Sequence, residues 1–276
     1  MADKEFEDEH EAGDLVSIGI DPDSKMVVLP GKKCWMGMTP VTQRLYKKVM
    51  GVNPSYHQLS NEELSDEERS ALEKIGDTSN NPVENVNWHD AVYFCNKLSI
   101  MEGLTPVYLV DGESDPENWW YKPHSEDGHG CFDGVVECDW SANGYCLPMS
   151  VDWEDAACED DELTYSGSDD LDEVGWFKEN SDDVTHPVAQ KKPNANGLYD
   201  MSGNVWEWMW DPDPDDNELR DIRGGCYEDK EELCELDTQI SKELVMPLEY
   251  LGFRLMRNFD TFDDEDDEYD EDDEEL

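Results

Sequence analysis

The chain has 276 residues, of which 71 are Asp or Glu and 20 are Lys or Arg, giving a formal net charge of −51 and a pI near 4.1. That balance excludes a binder of nucleic-acid backbones, which needs clustered cations to release counterions. No run approaches the ~18–20 apolar residues of a membrane-spanning helix, and ten Trp, eleven Tyr and seven Phe exclude a wholly disordered acidic chain.

The N-terminal stretch MADKEFEDEHEAGD has neither the basic nor the apolar region of a secretory signal, so the expected location is cytoplasmic. The eight cysteines (Cys34, Cys95, Cys131, Cys138, Cys146, Cys158, Cys226, Cys234) are then expected as thiols, and no CxxC pair occurs. Residues 26–30, MVVLP, predict a short strand. VTQRLYKKVMG predicts a helix: Thr42 can cap it, Val41, Leu45 and Val49 share one face, and Gly51 closes it. Residues 61–76 predict a second, solvent-facing helix. A third is predicted from NWHDAVYFCNKLSIMEG, capped by Asn87, apolar along Ala91, Cys95 and Leu98, and ended by Gly103. PVYLV (106–110) is strand-like, SVDWEDAA from Ser150 is a short helix, and RGGCY (223–227) and LGFRLMR (251–257) are brief β pieces. Long intervening stretches have neither period. Structureless loops beyond ~12–15 residues are uncommon in compact domains unless they carry function or hold an ion. From Asp263 to Leu276, twelve of fourteen residues are Asp or Glu. The expected organisation is a disordered acidic N-terminus over 1–13, one α+β domain over 14–259 and a disordered acidic tail over 260–276.

Six segments in fixed order carry a family resemblance: CWMGMTPVTQRLYKKVMGVNPS, NPVENVNWHDAVYFCNKLS, GYCLPMSVDWEDAA, HPVAQKKPNANGLYDMSGNVWEWMWD, RGGCY and LGFRLMR. Together they resemble the formylglycine-generating enzymes, or sulfatase-modifying factor domains, with GLYDMSGNVWEW as the most specific run. The resemblance implies a variant of the C-type lectin fold, α+β and loop-rich, with a small twisted antiparallel sheet and a core staked by Trp. MVVLP and CWMG lie close together where fuller members of the family have a longer hairpin, which leaves the completeness of the N-terminal sheet open.

Asp200 and Glu207 flank a glycine-bearing turn, and two carboxylates with turn carbonyls make a hard-oxygen site suited to Ca²⁺. The resemblance implies a structural calcium ion held by the Asp200 and Glu207 side chains and the Gly203 and Val205 carbonyls. The other reading of the same residues is that Asp200 caps a turn and Glu207 pairs with an arginine. Arg254, one of six arginines, is expected in a buried carboxylate pair.

The enzymes of this family oxidise a substrate cysteine to formylglycine with oxygen and a Cu(I) ion held by two cysteines, at the fourth and ninth residues after the paired glycines. Counting from Gly225, those positions are Asp229 and Cys234. Asp is a poor ligand for Cu(I), and Cys226 could substitute only with a rearranged backbone. The non-haem iron branch of the superfamily needs clustered histidines, and only His124 and His129 are close in sequence, in a polar loop. The expected function is therefore a non-catalytic module binding a protein or small molecule. The alternative is a formylglycine-generating oxidase using Cys234 with Cys226. Tyr227, Asp229, Leu236, Ile240, Met246 and Tyr250 form the expected binding surface. Acidity spread across the domain fits either a high-salt habitat or a basic protein partner. No nucleic-acid or membrane partner is expected.

Overall fold

The computed structural model describes residues 10–123, 130–158 and 163–258, with only the backbone of Lys122 and Pro123. The expectations for most of the N-terminal stretch, for the acidic tail and for His124 and His129 lie outside the described residues. Residues 10–13 are in place, and Gly13 N donates to the Val28 carbonyl at 3.1 Å.

In chain order the elements are β1 (Leu15–Ile18), β2 (Asp21–Val28), β3 (Cys34–Gly37), α1 (Gln43–Met50), α2 (Asp66–Ile75), α3 (Trp88–Met101), β4 (Tyr108–Val110), β5 (Lys122–Pro123) and β6 (Gly130–Cys131). They continue with β7 (Val136–Cys138), β8 (Tyr145–Cys146), α4 (Ser150–Ala157), α5 (Leu171–Val174), β9 (Trp206–Pro212), β10 (Leu219–Arg223), β11 (Gln239–Glu243), β12 (Leu251–Gly252) and β13 (Met256–Asn258). An antiparallel five-stranded sheet runs β1-β2-β3-β13-β8. A four-stranded sheet runs β11-β10-β9-β12, and its β12–β9 pair is parallel. Two short pairs, β4–β7 and β5–β6, complete the described strands. The N-terminal sheet, whose completeness the sequence left open, includes two strands ahead of β3. β1 and β2 form a hairpin ahead of β3, because Leu15 and Val16 pair with Val27 and Met26 and extend the apolar strand backwards.

Helices α1, α2 and α3 begin where capping side chains meet their first free N–H groups. Thr42 Oγ1 accepts from Leu45 N, and Gly51, at φ +85°, returns its N–H to the Lys47 carbonyl. Ser65 with Glu68 and Asn87 with Asp90 form reciprocal capping boxes on α2 and α3. α2 buries only Ala71 and Leu72, as its acidic sequence requires, whereas α3 is buried along nearly its whole length. Around α3 the core is aromatic. Tyr46 stacks on Phe94 at 5.4 Å, Phe253 meets Phe94 edge-on at 5.2 Å, and Trp210 stacks on Tyr108 at 5.0 Å. None of the eight cysteines is in a disulfide. Among the described residues no helix is long and apolar enough to cross a membrane.

Candidate functional site

Three of the four expected calcium positions lie on the turn that leads into β9, and Glu207 lies on β9 itself. Asp200 sits at φ +55° and Gly203 at φ +89°, and a Cβ on Gly203 would come within 2.3 Å of the Trp176 carbonyl oxygen. The carboxylates, however, are committed elsewhere. Glu207 Oε1 accepts from Arg254 Nη2 at 2.8 Å and Nε at 3.2 Å. Its Oε2 accepts from Arg254 Nε at 3.0 Å and from Trp153 Nε1 at 2.8 Å. Asp200 Oδ2 accepts from Ala189 N at 2.8 Å, and its Oδ1 from Asn204 Nδ2 at 3.2 Å. The Gly203 carbonyl accepts from Val205 N. Glu207 has a full complement of donors and a bidentate cation already beside it, so the residues present do not fit a calcium cage. Glu207 matches the other reading of the sequence, an arginine pair, whereas Asp200 caps no turn of its own and instead holds Ala189 N and the Asn204 side chain. Burial, opposed by these hydrogen bonds, pushes the Asp200 carboxyl up to about 6.

After β10 the chain turns through Gly224 and Gly225 into the region that corresponds to the family's copper site. The Asp229 carboxylate is drawn inward and knots this turn. Its Oδ2 accepts from Trp206 Nε1 at 2.7 Å, Cys226 N at 3.1 Å and Cys226 Sγ at 3.0 Å. Cys234 Sγ packs behind Gly225, where a Cβ would approach it to 2.6 Å, so the positive φ of 73° and the lack of a side chain are both required there. Both thiols are buried, Cys226 1% and Cys234 0% exposed. Burial first, then the Asp229 charge, pushes both well above the ordinary thiol range. Cu(I) binding needs thiolates. Among the described residues, no group of three or more His, Cys, Asp or Glu side chains is arranged to hold a metal ion.

The expected binding surface is divided between core and exterior. Tyr227 and Leu236 are buried, Ile240 and Tyr250 are half-buried, and Met246 is 39% exposed beside exposed Val245. Tyr250 lies under Lys242 Nζ at 5.8 Å, and its carbonyl accepts from Trp206 N. Asp229 is half-buried, with its Oδ2 taken up in the knot.

His57, unmarked in the sequence, lies at the back of this region. Its ring is 0% exposed, meets Tyr227 edge-on at 4.8 Å, and has no hydrogen-bond partner at either nitrogen. Nδ1 stands 3.6 Å from Glu84 Oε1, outside hydrogen-bond reach. A buried imidazole always carries an N–H, and leaving it unmatched costs about 1–3 kcal/mol. Glu84 is occupied by the loop below it, accepting from Tyr56 N and His57 N, each at 2.9 Å. The neighbouring Glu228 and Glu249 carboxyls are raised, in both cases first by burial, then by Asp229 and by Glu84 respectively. The segment NPSYHQL has no ligand spacing that would have marked His57.

Comparison with known proteins gives this arrangement its relatives. A chaperone protein LppX from Paenibacillus barcinonensis is 36% identical over 218 residues, covering 70% of this chain and 69% of that protein. A serine/threonine-protein kinase pkn1 from Chlamydia caviae is 32% identical over 120 residues, which span only 19% of its length. Among solved structures, Treponema denticola variable protein 1 superposes with a TM-score of 0.65 at 30% identity, covering 82% of this chain and 84% of that one. CarF superposes with a TM-score of 0.63 at 26% identity, covering 85% and 88%. PvdO from Pseudomonas aeruginosa, at 18% identity and a TM-score of 0.58, shares the fold. The architecture is the formylglycine-generating-enzyme variant of the C-type lectin fold. The family model of the sulfatase-modifying factor enzyme 1-like domain matches residues 7–259, and the chain belongs to that family.

Proposed function

We propose that the chain is a non-catalytic binding module on the sulfatase-modifying factor scaffold, with a polypeptide as its ligand. The observation that carries this reading is the Asp229 knot. A carboxylate stands at the position that corresponds to the first copper thiolate, and three donors hold it in place. The remaining thiols are buried and held protonated, so neither is poised as a soft ligand at an open cleft. A relative named as a chaperone protein supports a polypeptide ligand over a small molecule. Eight cysteines without a disulfide support a reducing compartment, the cytoplasm.

The test is a Cu(I) titration of the reduced protein, followed by incubation with oxygen and a CxPxR-type peptide. The expected result is no stoichiometric copper and no peptide oxidation. Copper bound one-to-one and lost in Cys234→Ser, together with turnover, would establish the oxidase instead.

A further inference from the structure

Resting on the reading of the chain as a polypeptide-binding module, we infer that Trp120 is a docking anchor, on whose exposed indole an arginine side chain of a basic polypeptide stacks. Trp120 is 84% exposed, whereas the other nine tryptophans are buried or half-buried. It also stands at φ +53°, in the left-handed region. Among the described residues eight other than glycine have a positive φ. Six of them are Asn or Asp, whose short polar side chains tolerate that conformation, and Trp120 is the one bulky member. Both of its neighbours are pinned inward. The buried Trp119 indole donates to the Glu113 carbonyl at 2.6 Å and meets Phe132 edge-on at 5.2 Å. The Tyr121 ring packs against Gly130, leaving no room for a Cβ there, and its hydroxyl donates to Asp90. Trp120, between them, faces out.

A single exposed apolar side chain is ordinary on a protein surface, but this one serves neither folding nor solubility. Glycine or asparagine would relieve the backbone at this position, and an indole left this exposed buries too little area to stabilise the fold. A local rule broken without a gain inside the chain points to a role outside it. Tryptophan is enriched among the side chains that dominate binding interfaces, and its ring is the best aromatic face for a cation. The residues leading up to Trp120 set the sign of the partner. Asp111, Glu113, Asp115 and Glu117 are all exposed, and Asp115 Oδ1 fixes the turn by accepting from Glu117 N at 3.0 Å. Among the described residues none of these four is in an ion pair, and Lys97 instead lies over the Tyr93 ring at 5.6 Å. A guanidinium is planar, stacks on aromatic faces and is more weakly hydrated than an ammonium, so arginine answers an indole among carboxylates better than lysine does. A net charge of −51 draws such a partner in and quickens the encounter.

The experiment is calorimetric titration of the full chain with an acetylated peptide of alternating arginine and glycine, and with the same peptide carrying neutral citrulline in place of arginine. Physiological salt screens attraction beyond about 8 Å. Trp120→Gly leaves the net charge unchanged, so it separates contact at the indole from attraction by the general field. It is expected to weaken binding of the arginine peptide about five- to tenfold without lowering the melting temperature. The citrulline peptide is expected to bind the wild-type chain at least about tenfold more weakly than the arginine peptide. Equal affinity of the wild-type chain and Trp120→Gly would mean that only the general field attracts the peptide, and would overturn the proposal. So would an absence of binding, or citrulline bound as tightly as arginine. A melting temperature that falls in Trp120→Gly would assign the indole to the fold and overturn it equally. None of these outcomes bears on the non-catalytic reading, which stands or falls on copper-dependent oxidation.

Discussion

Arg254 gathers more of the buried polar structure than any element boundary does. Besides Glu207, its guanidinium donates to the Gly37 carbonyl through Nη1 and the Tyr199 carbonyl through Nη2, each at 2.7 Å. One side chain thereby ties β3, the turn before β9 and the strand carrying Glu207. A lysine, with a point charge and no planar fork, cannot reproduce that geometry. Arg254 is 0% and Glu207 1% exposed, so removing the cation strands a charge in the interior. Arg254→Met is expected to lower unfolding free energy by about 3–5 kcal/mol in urea titrations. Adding Glu207→Leu should restore part of that loss but leave the Trp153 indole N–H unmatched. Because the arginine already neutralises Glu207, a calcium chelator should leave the melting temperature of the wild-type chain unchanged. That Arg254 needs a carboxylate was legible, since arginine is scarce in this chain. Which carboxylate it takes was not, because the partners are 47 residues apart and nothing local joins them.

α3 shows how much of an element can be read from its own residues. Asn87 caps it as its position before an apolar-periodic run implies, and Asp90 returns the bond to the Asn87 N–H. The structure adds long-range duties to these two caps. Asn87 Nδ2 also donates to the Gly130 carbonyl at 2.9 Å, and Asp90 accepts from Gly130 N and from the Tyr121 hydroxyl. Asn87→Ala is therefore expected to cost about 1–2 kcal/mol, at the upper end for a cap, in chemical denaturation. A loss under about 0.5 kcal/mol would show the cap to be redundant. The closing segment was harder to read. LGFRLMR looks like one strand, but β12 belongs to the four-stranded sheet and β13 to the five-stranded one. Phe253–Leu255 carry the chain across, and no local period records a change of sheet. The same lack of period between β10 and β12 hid which of Tyr227, Leu236 and Met246 face the core.

Over the whole molecule, the dominant physical fact is self-repulsion. A charge of −51 on 276 residues opposes compaction, and ion pairs such as Lys74–Asp182 and Lys192–Glu173 are too exposed to offset it. Added salt shortens the range of that repulsion, from about 30 Å at 0.01 M to about 3 Å at 1 M. The melting temperature is accordingly expected to rise with NaCl, most steeply at the low end, when followed by circular dichroism. A flat profile would mean that the carboxylates are already neutralised in the folded chain. Against the repulsion stands one large apolar cluster that includes most of α3, while α2 leaves its acidic residues exposed.

The position of β13 between β3 and β8 bears on how the chain is made. Met256 sits opposite both Met36 and Cys146, so the two halves of the larger sheet have no contact through it until the last strand arrives. At about 5–20 residues per second, a ribosome needs roughly 10–40 s to travel from β3 to β13. Throughout that interval the apolar edge of β3 waits in the nascent polypeptide, open to chaperones and to mispairing with neighbouring chains on the same message.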